Sequence, residues 1–120
     1  MMNQRPCSKE RTILAVSAHP DDVEFTSGGA LARWIAEGWT AHLVVCTDGS
    51  KGSHDPGVDP AALAAQRREE QRAAAEALGI TQVLFLDHPD GELGQAPTLT
   101  ETLTRLIRCL RPDRLLGWDP

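Results

Sequence analysis

What the chain lacks narrows its biology first. No apolar run among its 120 residues approaches the roughly 20 needed to cross a bilayer, and the polar opening "MMNQRPCSKER" has no apolar segment of the kind a secretory leader carries. A membrane span is therefore not expected, and the cytoplasm is the expected location. Cysteine is scarce: Cys7, Cys46 and Cys109 make an odd count with no CxxC spacing, and the latter two fall among apolar residues, as reduced packing residues do. No basic stripe exists either. The twelve Lys and Arg are scattered in a chain of net charge −5 and pI near 5.3, which argues against nucleic acid and for a small-molecule partner. Whether copies of the chain assemble is left open.

What is present is a soluble globular composition, 41% hydrophobic and 24% charged, enough for one domain's core. Residues 1–11 are expected to be a flexible leading segment, with the domain over 12–120. Short apolar runs without polar alternation suit strands covered on both faces: "TILAVS" at 12–17, "AHLVVCT" at 41–47, "QVLFLD" at 82–87 and "DRLLGW" at 113–118. Helix patterns lie between them. The first, about 27–37, carries Leu31, Trp34 and Ile35 on one face and stops at Gly38. The second opens at Asp59-Pro60, a cap followed by proline, and ends at Leu78-Gly79. In the third, Thr98 and Glu101 read as a capping box ahead of Leu99, Leu103, Leu106, Ile107 and Leu110. Strand alternating with helix four times predicts an α/β fold of Rossmann-like class, with three layers and a parallel sheet.

Ligands of open α/β sheets bind at the carboxyl ends of the strands, and Ala18-His19-Pro20-Asp21-Asp22 follows the first strand directly. The neighbouring "SGGAL" is not G-x-G-x-x-G, so nucleotide binding is disfavoured, and Gly28 and Gly29 are read as allowing close packing of the helix start. Imidazole and carboxylate together suit zinc, and His19 with Asp22 offers two ligands three residues apart on a turn stiffened by Pro20. Catalytic zinc generally takes three protein ligands. His42 and His54 read as packing or surface residues, whereas His88 follows the third strand on the correct edge. Asp21, beside the metal but not bound to it, can take a proton from attacking water, or can simply cap the helix that follows.

The second helix adds a further clue. Leu63, Arg67, Glu70, Ala74 and Leu78 fall on one stripe, which places Arg67 and Glu70 with residues expected to turn inward. Glu70 can fix the Arg67 guanidinium towards a ligand, or the two can form a structural ion pair. Asp90 and Glu92, after the third strand, offer carboxylates to sugar hydroxyls, though "PDGEL" is equally a plain turn.

The segments "AVSAHPDDVEFTSGGALARWIAEG", "VVCTDGSKG", "QRREEQRAAAEALGI" and "VLFLDHPDGEL", in this order and spacing, resemble the amino-terminal part of the LmbE-like / PIG-L family of zinc-dependent N-deacetylases. The resemblance covers residues 12–120. It implies a Rossmann-like fold and hydrolysis of the acetamide, or another N-acyl amide, of an amino-sugar conjugate. Family substrates are N-acetylglucosaminyl conjugates: thiol precursors linked to inositol or malate, phosphatidylinositol glycans and glycopeptide antibiotic intermediates. It further implies His19 and Asp22 as zinc ligands, Asp21 as general base, and Arg67 and Asp90 as substrate-side residues. Family members carry a third zinc ligand in an HPDHR-like block beyond the fourth strand, and "LLGWDP" stops just before that position. The 120 residues are thus expected to be an amino-terminal half, truncated after about the fourth strand and inactive by itself. Two rival readings stand beside the deacetylase: a metal-free sugar- or nucleotide-binding α/β module, and a non-catalytic remnant.

Overall fold

A computed structural model describes residues 10–20, 22–51, 53, 55–92 and 98–117, with the backbone alone for 22–26. Among these described residues the elements are, in order, β1 (Thr12–Ser17), α1 (Asp22–Ala36), β2 (Thr40–Thr47), α2 (Pro60–Leu78), β3 (Gln82–His88), α3 (Leu99–Leu110) and β4 (Arg114–Leu116). All strand pairs are parallel, in the order β3-β2-β1-β4. The three-layer α/β architecture is the expected one, and β1 sits at the topological switch point, with β2 on one side and β4 on the other.

The sheet's two faces are covered differently. Ile13, Ala15, Ala41, Leu43 and Val45 point to α1 and α2, where they bury Leu31 and Ala75 and are joined by Trp34, Ile35 and Leu78. Each large side chain fully buried there is worth about 1.5–3 kcal/mol of transfer free energy. The other face, Leu14, Val44 and Cys46, carries α3, whose Leu99, Leu103, Leu106, Ile107 and Leu110 are only partly buried against it. Among the described residues no helix is long and apolar enough to cross a membrane.

Local chemistry explains where elements begin and end. Asp59 accepts from the Ala61 N–H (3.2 Å), Pro60 occupies the first turn of α2, and Gly79 closes it in the left-handed region at φ 86°. α1 starts at Asp22, a turn and a half before the apolar stripe makes it visible, since Thr26, Ser27, Gly28 and Gly29 are weak helix formers. Gly28 is buried, but a Cβ at Gly29 would meet nothing within 4 Å, so close packing does not explain the second glycine. Thr98 makes no side-chain cap, and Glu101 instead accepts from Arg105 one turn on (2.7 Å), so the expected capping box is absent. Cys46 is buried, and burial pushes its thiol pKa up, whereas Cys109 is exposed rather than packed. β4 is shorter than expected. Its anchor to β1 is reciprocal: Thr12 N–H donates to Asp113 Oδ2 (2.9 Å) and Asp113 N–H to Thr12 O (2.7 Å).

Candidate functional site at the carboxyl edge of the sheet

The exits of β1, β2 and β3 are tied together before any side chain is placed. Thr47 donates twice to the Ala18 carbonyl, from N–H (2.8 Å) and Oγ1 (2.7 Å), while Ser17 Oγ donates to the His19 carbonyl (3.2 Å). Asp48 N–H donates to the His88 carbonyl (3.1 Å), joining β2's exit to β3's. Between them the chain passes through Gly49 at φ 69°. A Cβ at that position would stand 3.0 Å from Pro20 Cδ, and Arg67 Cγ lies beyond at an ordinary 3.8 Å, so the positive φ and the close approach to Pro20 call for glycine.

This scaffold brings two of the expected residues into contact across a 71-residue separation. His19 Nε2 lies 2.8 Å from Asp90 Oδ1. The imidazole is half exposed, while the carboxylate is buried and accepts the Lys51 N–H on Oδ2 (3.0 Å). Gly91, at φ 86°, leaves room for the Lys51 chain: a Cβ there would stand 3.2 Å from Nζ. Asp48 completes the polar wall. Burial opposes its charge, but hydrogen bonds from the backbone and hydroxyl of Ser50 and from the Asp90 N–H outweigh it and hold the carboxyl below its ordinary value of 3.8.

Arg67 is half-buried beneath the Gly49 turn, on the same edge. Glu70 is exposed and accepts from Gln66 Nε2 (2.9 Å). The inward face of α2 centres on Gln71 and Ala75, one residue round from the expected stripe, because an alanine-rich helix offers little apolar contrast to fix its rotation. Asp21 lies outside the described residues, as do Cys7 and His54. Asp22 opens α1 three positions after His19, its side chain outside the described atoms. Glu92 is exposed, His88 is half-buried at the end of β3, and His42 is half-buried with its Nδ1 unpaired.

Sequence reasoning from spacing alone missed Asp48, Gly49 and Lys51, although a glycine directly after a strand pointed to a special turn there. It also missed a second feature. β3 carries an extra residue relative to β2, with Val45 opposite Phe85 and Thr47 opposite His88, and within that irregularity Asp87 adopts φ 59°. Asp87 pairs with Arg68, whose guanidinium lies 4.6 Å over the Phe85 ring. Beside this pair a cleft of about 370 Å³ opens between α2 and the tips of β2 and β3, reaching Pro20 and Asp48.

For a metal, the donor chemistry is an imidazole nitrogen and carboxylate oxygens, a set that zinc accepts. Among the described residues, no three His, Cys, Asp or Glu side chains gather as a metal site. The fit therefore rests on His19 together with Asp22, which the backbone brings to the same edge.

Comparison with known proteins gives this edge a context. The family described as GlcNAc-PI de-N-acetylase (PIG-L) matches residues 14–120. The diacetylchitobiose deacetylase of Thermococcus kodakarensis is 32% identical over 115 residues, 96% of this chain and 43% of that protein. The 1D-myo-inositol 2-acetamido-2-deoxy-α-D-glucopyranoside deacetylase of Actinosynnema mirum is 41% identical over 132 residues, 89% of this chain and 47% of that one. Among solved structures, the N,N'-diacetylchitobiose deacetylase of Pyrococcus horikoshii superposes with a TM-score of 0.83 at 30% identity, over 93% of this chain and 42% of that one. The 4-carboxy-2-hydroxymuconate hydratase GalB of Pseudomonas putida reaches 0.70 at 31% identity, over 88% and 45%. The chain thus spans under half the length of these relatives.

Proposed function

The chain belongs to the PIG-L family of GlcNAc-PI de-N-acetylases, and from that premise we propose that it supplies the amino-terminal part of a zinc-dependent hydrolase. The reaction is removal of an acetyl group, or another acyl group, from the amide nitrogen of an amino sugar joined to a second polyhydroxylated ring. The observation that carries this reading is the meeting of the His19 imidazole with the buried Asp90 carboxylate, in a sheet edge that also holds Arg67 and the start of α1.

In this reading His19 and Asp22 hold the metal, and a further protein ligand completes the usual three. A zinc ion held there would supply Lewis acidity to the amide carbonyl and to water. The remaining work falls to side chains. Asp21 takes the proton of the attacking water as the new C–O bond forms, then returns it to nitrogen as the C–N bond breaks, so that acetate and a free amine leave in equal amounts. Arg67 and Asp90 hold the sugar. Asp90 also fixes the imidazole ring, since a carboxylate has about four lone-pair sites and the contacts to His19 and Lys51 leave capacity for a hydroxyl.

The test is release of acetate from N,N'-diacetylchitobiose by the intact protein with zinc, followed together with the appearance of free amine. One acetate per amine is expected. The solved hydratase relative defines the rival outcome: hydration of 4-carboxy-2-hydroxymuconate with no acetate release would overturn the hydrolase reading.

A further inference from the structure

We propose that the cleft beside the Arg68–Asp87 pair is the subsite for the second ring of the substrate, and that it selects a neutral, polyhydroxylated ring. The inference rests on the deacetylase reading and extends it to specificity. Position comes first. Pro20, the residue after His19, lines the cleft together with Asp48, which accepts from the Asp90 N–H, so the cleft borders the His19–Asp90 contact. Its volume of about 370 Å³ falls within the range of about 300–1,000 Å³ typical of small-molecule sites.

The walls decide the chemistry. Ala61, Ala64 and Ala65, from the first turns of α2, form a smooth apolar side that leaves room for the C–H face of a sugar ring. Arg68 continues the same helix face one turn on, and its guanidinium, steadied over Phe85 at 4.6 Å, sets a donor beside the acceptor it pairs with, the Asp87 carboxylate of β3. Neighbouring hydroxyls, each of which both donates and accepts, match such a pair in sequence. With Arg68 neutralising Asp87, the lining keeps the negative charge of Asp48, which disfavours a phosphate. An apolar tail would leave the ion pair desolvated without compensation. The left-handed backbone at Asp87, with φ 59°, is then explicable as the device that turns this carboxylate out of the strand towards α2.

The experiment compares kcat/KM for N,N'-diacetylchitobiose and N-acetylglucosamine in the intact zinc-loaded protein. The disaccharide is expected to be preferred, and Ala65→Trp, which fills the cleft from an exposed helix position, to reduce that preference by about tenfold. Ala64→Leu should reduce it in the same direction, while Ala73→Trp, at an exposed position of α2 that does not line the cleft, should leave the ratio unchanged. A wild-type protein without preference, or cleft-filling variants with an unaltered ratio, would overturn the subsite. Calorimetric binding of chitobiose against glucosamine, neither of which can be deacetylated, separates the two levels. If no acetate is released from either substrate the hydrolase reading fails, and the subsite then stands or falls on whether Ala65→Trp removes the binding preference.

Discussion

The two ends of the sheet use charge in opposite ways. At the amino end, Arg114 lies 4.8 Å from the Trp34 ring and 4.6 Å from Trp39, with Arg11 over Trp39 at 5.1 Å and the two indoles 6.5 Å apart. Cations there are answered by aromatic faces, which tolerate small displacements and hold α1 and β4 to the strand starts. At the carboxyl end, His19, Asp48 and Asp90 are answered by hydrogen bonds of fixed direction, one of them from the Lys51 backbone N–H. Packing charge stabilises, whereas directed charge positions groups for chemistry. Substitutions at the two ends should therefore separate activity from stability.

The largest effect is expected at Asp21. In the full-length protein, Asp21→Asn should lower kcat by about 10²–10⁴-fold with zinc content and melting temperature unchanged. Loss of the metal in that variant would mean that Asp21 is a ligand and that its role has been confused with that of Asp22. The amino end should answer the other way: Trp39→Ala removes a buried indole and should cost about 3–5 kcal/mol of unfolding free energy, read by denaturant titration, with kcat of the folded fraction preserved. A kcat loss as large as that of Asp21→Asn would erase the contrast.

Smaller effects sharpen it. Asp90→Asn keeps the shape but removes the charge facing His19, so zinc affinity in a competitive chelator titration should fall by about 10–100-fold, as is usual for groups that orient a ligand. Unchanged affinity with a raised KM would assign Asp90 to the sugar alone. Least of all is the pH effect of Asp48. Its folded pKa lies below the ordinary 3.8, so its stabilising contribution is complete above that value and is lost as pH falls through the folded pKa. Acid unfolding curves of Asp48→Asn should accordingly be flatter than wild type below pH 3.8 and parallel to it above.

How much of this was legible in the sequence depends on how local each feature is. "TILAVS" is β1 to the residue, and Asp59-Pro60 and Gly79 bound α2 as capping chemistry requires, because these features act within one turn of chain. The rotation of α2 was not legible, since alanines look alike from every side and Arg68 is drawn inward by Phe85 and Asp87, residues of another element. Both His19 and Asp90 could be placed on the ligand-binding edge from the strands that precede them. Their contact could not, because it depends on β2 lying between β1 and β3 and on the extra residue at Asp87, a matter of register that leaves no periodic trace.

The clasp between Thr12 and Asp113 has a kinetic consequence. It closes a separation of 101 residues, whereas Thr12 meets Thr40 in β2 after a far shorter excursion. Loop-closure entropy makes the longer closure costlier by only about 1 kcal/mol, but β4 recovers it with three residues, one of which, Leu115, stays 53% exposed. Of the described strands, β4 should therefore join a sheet already assembled and leave it first. In hydrogen exchange, the amides of Leu115 and Leu116 should open at lower free energy than those of Leu43 to Val45, while equal protection would show that β4 and β2 fold as one cooperative unit.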